Sequence, residues 1–410
     1  MPQDFNIPDS LSYKRPETVI DGDSNFVEFQ PVAGSTFTQD QSLKIRVNSA
    51  DEFLDVRRSY LKYDLALTGG ATTAGNMISE LGGASVLRRI TTTISGSQIE
   101  DFDDYNLSLS VKYAQLPETN KNFLKQVEFY NNQTVLTSSA SAYSNGRTCC
   151  HALRTALFEC DRVFPLAFVR SGIELDIVLA PVNDLIIGDS DTTGYQISNV
   201  RFVACMIKPT QSYMKSFQST LESGNTAHIP LHITRNVKLA PTTTTDQTNI
   251  MNIGFYKSLR SFFGVFREST SINSATTDSF KLNSLNGLKQ YSVRVGSNKY
   301  PRNFDIGTTY SITSATVRPE FLMQSLVSMD NSYAHFNAVD PTSNTNNYIY
   351  YNWASNESPG SGIATEDGSI TLNHIYHTAP GGTETYSFFF LIDGVLKISA
   401  VDCSLDVRNY

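Results

Sequence analysis

The sequence carries little charge. Lys, Arg, Asp and Glu make up 18% of its 410 residues, against roughly 25% in an average soluble protein. Low charge implies a surface covered by partners, or one built from Ser, Thr and Asn. The formal net charge is -8 and no cluster of Lys and Arg rises above its surroundings. Neutralising nucleic-acid phosphates needs concentrated positive charge. Direct, sequence-specific nucleic-acid binding is therefore not expected. The opening "MPQDFNIPDSLSYKRPETVIDGDSNF" holds one Lys-Arg pair among several acids, so a basic packaging arm is excluded too.

Other absences narrow the chemistry. The 5 cysteines are odd in number and irregularly spaced, which gives no disulfide framework. Vicinal Cys149 and Cys150 read as ordinary reduced thiols. The most apolar run, "SFFFLIDGVLKI", is interrupted at Asp393 and is too short to span a bilayer. The start lacks a charged segment followed by an apolar one, so no secretory leader is expected. Without a leader, the sequons at Asn132 and Asn356 carry little weight, and Pro359 follows the second. P-loop, nucleophile-elbow and dinucleotide fingerprints are missing. The glycine-rich "TGGATTAGN" from Thr68 lacks the Lys that a phosphate cradle needs, and reads as a loop.

What the sequence does have is a period of two. "SLKIRVN" puts Leu43, Ile45 and Val47 on one face and Lys44 and Arg46 on the other. "GIELDIVLAP" alternates Ile173, Leu175, Ile177 and Leu179 with Glu174 and Asp176. Such alternation marks half-buried antiparallel strands. "RRSYLKYDLAL", "NVRFVACMI", "SLRSFFGVF", "YSFFFLI" and "GVLKISAVDCSLDV" are further strand candidates. Helices are few and short. Asp103 or Asp104 is positioned to cap "YNLSLSVKYAQ". Pro319-Glu320 opens "EFLMQSLVSM". "QSYMKSFQSTL", with Met214, Phe217 and Leu221 aligned for core packing, bridges two β domains.

One pattern is written twice. "TTISGSQIEDF" from Thr92 and "SVRVGSNKYPRNF" from Ser292 each read strand, Gly-Ser turn, strand, with Gly96 and Gly296 at the turns. At the same offset of 200, "RSYLKYDLAL" sits opposite "SLRSFFGVFR", Tyr63 against Phe263 and Leu65 against Val265. "ISNV" at Ile197 also faces "ISAV" at Ile398, 201 positions on, each expected at the core of its half's final strand. A chain this long suits two domains. The common offset points to two copies of one β-sandwich.

At these residues the chain resembles the double jelly-roll major capsid proteins of adenovirus-like viruses, membrane-containing phages, virophages, polinton-like viruses and large DNA viruses. "RRITTTISGSQIEDFDDYNLSLSVKY" is similar to the strand, turn, strand and helix of the family's first jelly roll. "FPLAFVRSGIELDIVLAPVNDLI" resembles its later strand pair, and "LKQYSVRVGSNKYPRNFDI" the second jelly roll's hairpin. The resemblance implies an all-β fold of two tandem eight-stranded jelly rolls with a few short helices. The expected division is an arm over 1–41, a first jelly roll over 42–208, a connecting segment over 209–226 and a second jelly roll over 227–410. It also implies a non-enzymatic virion protein of a double-stranded DNA virus, assembled inside the host cell. Three chains would form a six-cornered capsomer of an icosahedral shell. Partners would be other copies, minor capsid or penton proteins, and, as an open question, an internal membrane.

Two other readings compete. A bicupin enzyme also holds two β-barrels, and its metal needs clustered His with a carboxylate. The 6 His include "HIPLH" (His228, His232) and "NHIYH" (His374, His377), but neither has the His-x-His pattern followed by Glu. "GDSDTTG" places Asp189, Asp191 and Thr193 at alternate positions before Gly194. Val200 stands where a calcium loop needs its closing Glu, so an acidic turn is preferred. No catalytic, cofactor-binding or metal-binding residue is assigned, and no cofactor. A lectin-like reading rests on the polar stretch 340–368, whose Trp353 sits beside Tyr348, Tyr350 and Tyr351 in a Ser/Asn/Gly background. Packing of those aromatics on their own domain, or on a neighbouring copy, is favoured over sugar binding.

Overall fold

The structure is a computed structural model that describes residues 23–69, 77–114, 116–131, 147–187, 192–240, 243–268, 272, 274, 277–280, 288–307, 348–354, 360–365, 368–377, 379, 384–400 and 403–406. The first half begins with β1 (Asp23–Phe29), β2 (Thr36–Thr38), β3 (Ser42–Val47), β4 (Phe53–Gly69), β5 (Met77–Ile78), β6 (Leu87–Ile94) and β7 (Ser97–Phe102). Helices α1 (Tyr105–Ala114) and α2 (Glu118–Val127) follow. Then come β8 (Arg147–His151), β9 (Ile173–Leu179), the one-turn α3 (Val182–Leu185), β10 (Ile186–Ile187) and β11 (Thr192–Lys208). Helix α4 (Gln211–Glu222) leads into β12 (Ala227–Leu239), β13 (Asp246–Asn252), β14 (Leu259–Glu268), β15 (Leu288–Val295), β16 (Asn298–Tyr300) and β17 (Ile306–Gly307). The last strands are β18 (Tyr348–Asn352), β19 (Ser369–Tyr376), β20 (Glu384–Ile398) and β21 (Cys403–Asp406).

These strands form the same object twice. The first half has one sheet in the order β1-β11-β4-β8 and another in the order β3-β9-β6-β7. The second half has β12-β20-β14-β18 and β13-β19-β15-β16. Replacing each strand of the first half by its counterpart in the second reproduces both orders. Each half is therefore an eight-stranded sandwich with jelly-roll connections. β2, β17 and β21 are additions on β11, β15 and β20, and β5 with β10 makes a separate ribbon.

Alternation decides the faces as expected. Leu43, Ile45 and Val47 of β3 and Ile173, Leu175, Ile177 and Leu179 of β9 are buried. On the other face Lys44 and Arg46 reach Glu174 at 2.7 and 2.9 Å. Exposed pairs like these add little to stability, because solvent screens them. Their main effect is on register, because a one-residue slip would turn the charged row into the core.

The doubled hairpins occupy equivalent places. β6 and β7 turn through Ser95 and Gly96, both with positive φ (50° and 82°). β15 and β16 turn through Gly296 and Ser297, with Gly296 at φ 55°. The two-residue turns need left-handed backbone, supplied at both turn positions in the first hairpin and at the first position in the second, so the glycine stands second in one turn and first in the other. The glycines are 200 residues apart; the turns are not in the same residue register. β4 and β14 are likewise counterparts. The "ISNV"/"ISAV" match fails: Ile197 pairs with Leu65 near the start of β11, whereas Ile398 ends β20 opposite Ala227. Lys208 occupies the place equivalent to Ile398, paired with the first residue of β1.

Other expectations are corrected. The stretch 23–38, assigned to an arm, supplies β1 and β2; all seven residues of β1 pair with β11. Its pattern was hard to read because an edge strand needs an apolar row on one side only, here Val27 and Phe29. "YSFFFLI" and "GVLKI" form one strand, β20, running through Asp393. The polar stretch 340–368 contains β18, paired with β14. α1 and α4 lie where expected, while α2 was not anticipated. The helix expected over 320–329 lies outside the described residues.

Apolar packing forms two clusters. The second is internal to its sandwich, built around Phe262, Tyr291, Phe388 and Phe390. The first continues into the other half through Ile229, Leu231, Ile233, Leu396 and Ile398. The two sandwiches are thus joined by buried apolar contact as well as by α4.

Candidate functional site: the junction between the two sandwiches

The histidines weighed as ligands do not converge. His228 is exposed, its Nε2 2.6 Å from Thr226 Oγ1. His232 Nδ1 lies 2.9 Å from Asp393 Oδ1. His374 is buried beside Gln247 Oε1 at 3.1 Å, and burial lowers its pKa to about 4. His377 lies just past the end of β19. Among the described residues no group of three or more His, Cys, Asp or Glu is placed to hold a metal ion. Asp189 and Asp191 lie outside the described residues, as do Asn132, Asn356 and Pro359; Val200 is a buried core residue of β11. Cys149 is fully buried and burial pushes its thiol well up; Cys150 faces the other side of β8, half-buried. Trp353 is half-buried, its ring centroid 5.1 Å from Tyr351, 5.7 Å from Phe262 and 5.8 Å from Tyr300. It packs on its own sandwich.

Asp393 explains how β20 crosses an acid without breaking. It is fully buried, yet Ser258 Oγ donates to it at 2.5 Å and Gly360 N at 2.8 Å, with Arg260 at 3.4 Å. Burial alone would raise its pKa. The bonds from His232, Ser258 and Gly360 and the charge of Arg260 outweigh that and hold the carboxyl below its usual value.

A second buried network had no signature in the sequence. His151 Nδ1 lies 2.9 Å from Glu128 Oε1, Tyr113 OH donates to Glu128 Oε2 at 2.7 Å, and Tyr105 OH lies 2.8 Å from His151 Nε2. All four side chains are sealed from solvent. Closed in this way, the network fastens α1 and the end of α2 to β8 and offers no substrate access.

The most distinctive chemistry lies between the halves. Glu100 of β7 is 1% exposed. Its Oε2 accepts Ala156 N at 2.7 Å from its own sandwich, and its Oε1 accepts Thr234 N at 2.7 Å from β12 of the other. Burial is the largest influence on its pKa and raises it. The two N–H donors and Lys112 pull back, Glu159 adds to the rise, and the result is about 7. Beside it, Lys238 Nζ reaches Asp103 at 2.9 Å and Asp104 at 2.8 Å, and Asn236 Nδ2 donates to Asp103 O at 3.0 Å. The carboxylates considered as helix caps hold the second sandwich. Phe102 meets Phe389 edge-on at 6.2 Å. Further along, Glu80 N donates to Asp278 Oδ2 at 2.7 Å.

A cavity of 360 Å³ sits at the base of the junction, lined by Phe168, Met214, Leu221, Ala400 and Cys403 among others. The aligned face of α4 thus only partly packs as core. Phe217 docks on Phe53 and Phe168 at 5.7 and 4.9 Å, while Met214 and Leu221 border the space. The arrangement as a whole can fasten two sandwiches at a fixed angle.

No protein-family model matches the chain, and no curated protein matches it by sequence. Solved structures do match by shape. The quasi-atomic model of the PBCV-1 virus capsid superposes with a TM-score of 0.67 at 12% identity, over 97% of this chain and 98% of that one. The Faustovirus major capsid protein gives 0.63 at 8% identity, over 95% and 92%. The Sputnik virophage structure gives 0.60 at 12%, over 98% and 92%. Likeness at such low identity reflects the path of the backbone rather than shared side chains. The chain has the double jelly-roll fold that these capsid structures share.

Proposed function

We propose that the chain is the major capsid subunit of a double-stranded DNA virus, a structural protein rather than an enzyme. The observation that carries this is the duplicated strand order, covering the length of solved capsid proteins from end to end. Two like sandwiches fixed side by side give a single chain two corners of a tile. Three chains around a threefold axis supply six, and such tiles cover an icosahedral lattice. Division into a first jelly roll, a connecting segment over 209–226 and a second jelly roll is part of the same reading. So are location in the virion and partnership with minor capsid or penton proteins.

Purified full-length protein tests this with two measurements. Light scattering should give about 136 kDa for three chains of 45.4 kDa, persisting in high salt because apolar burial is not screened. Metal analysis should find no stoichiometric iron, manganese or zinc. A monomer at micromolar concentration, or a metal lost with His228→Ala or His374→Ala, would overturn the reading.

A further inference from the structure

Because the sandwiches share one strand order, each surface of one has a twin on the other. One such surface is already used within the chain. β7 and its following corner carry Glu100, Asp101, Asp103 and Asp104 with no Lys or Arg. β12, the first strand of the other sandwich, carries Arg235 and Lys238 with no Asp or Glu. The two meet through Glu100 to Thr234 and through Asp103 and Asp104 to Lys238.

The twin of this pair is β16 with its corner on one side and β1 on the other. Its charges are reversed. The stretch from Asn298 to Asp305 carries Lys299 and Arg302 against Asp305 alone, and β1 carries Asp23 and Glu28 with no Lys or Arg. Its exposure is reversed too. β12 is buried at Ile229, Leu231, Ile233 and Thr234, whereas β1 is exposed along most of its length. Phe26 on β1 is 50% exposed and Phe304 in the β16 corner 51%. Large apolar side chains at half exposure on both members of a twin pair suit a surface that becomes covered.

We propose that β1 of one copy docks against the β16 corner of a second copy, repeating between chains the junction that β12 and β7 make within one. This rests on the capsid-subunit reading and names the surfaces that build the tile. The contact is head-to-tail, so it generates a ring when the rotation closes. The order around that ring follows from which corner is open. The β7 corner is covered by β12 of its own chain, so the acidic β1 of another copy is left with the β16 corner. There Arg302 supplies the attraction while Lys299 is held by Asp305 at 2.9 Å, and first sandwiches alternate with second ones.

Charge exchange tests the pairing. Glu28→Lys, Arg302→Glu and the chain carrying both changes are compared with the original by sedimentation at low salt. Circular dichroism melts show that each variant is folded. Each single reversal should weaken association by roughly tenfold or more, since the acidic strand and the basic corner then carry charge of one sign across the contact. The double variant should return to within about threefold of the original, because the pair is restored with opposite sense. Phe26→Ala should weaken association without lowering the melting temperature of the dissociated chain. If the original associates and folded single variants associate equally well, the assigned surfaces are wrong while the capsid reading stands. Weakening in both singles without recovery in the double also overturns the pairing. An original chain that stays monomeric overturns the capsid reading itself.

Discussion

Thr234 N and Glu100 Oε1 meet at 2.7 Å across 134 positions of sequence, and the other oxygen of the same carboxylate holds Ala156 N. One side chain therefore closes two backbone donors belonging to different sandwiches. A carboxyl group can accept at both ends, since its hydroxyl oxygen keeps a lone pair when protonated; the amide of Gln would turn an N–H₂ toward one of the donors.

Stability should carry a mark of this group. The folded chain holds the Glu100 proton more tightly than the unfolded chain, with a pKa of about 7 against 4.5. Its contribution is most favourable below the unfolded value and is lost as pH rises from about 4.5 to 7. At about 1.4 kcal/mol per unit, the loss is on the order of 3 kcal/mol. Glu100→Gln should lower the melting temperature at pH 5, and the gap to the original chain should shrink by pH 7.5. A gap independent of pH would exclude Glu100 as the titrating group.

Asp393 should behave in the opposite sense. Its carboxyl is held low by His232, Ser258, Gly360 and Arg260. The stability it gives is present above the unfolded value and is lost as pH falls through the folded one. Asp393→Ala strands those donors in the sheet and should cost about 3–5 kcal/mol in chemical denaturation at neutral pH. A cost under 1 kcal/mol would mean that the site is hydrated rather than sealed.

Trp353 is expected to matter to stability and not to sugar recognition. Trp353→Ala should destabilise the chain by about 3 kcal/mol through lost contact with Phe262, Tyr300 and Tyr351. A glycan panel should show no binding by the original chain that depends on this residue. Selective loss of glycan binding at unchanged melting temperature would restore the lectin reading.

Truncation tests the first strand. A chain beginning at Asp23 serves as the reference. Starting the chain at Gln41 removes β1 and β2 and leaves β11 without that partner edge, so the melting temperature should fall. Equal stability of both truncations would show that β1 contributes nothing to the sheet.

Much of the fold could be read from period-two runs, since β3 and β9 each bury one row of side chains and leave the other partly in solvent. The doubled hairpin was legible because a two-residue turn needs glycine or another left-handed residue. β1 was missed because an edge strand leaves most side chains in solvent, so its composition resembles a tail. β20 was split at Asp393 because local sequence cannot show that Ser258, His232 and Gly360 converge on that acid from other elements. Glu100 was hidden for a similar reason: alternation along "QIEDF" gives it no special place. Its role arises only when β12, more than a hundred residues later, brings up the N–H of Thr234.

Two like sandwiches per chain should build a closed tile, and electron microscopy of the purified full-length protein can show it. Particles of three chains should appear, with six similar lobes in projection down the axis, alternating between first and second sandwiches. Single two-lobed particles, or rings with any other number of lobes, would contradict it.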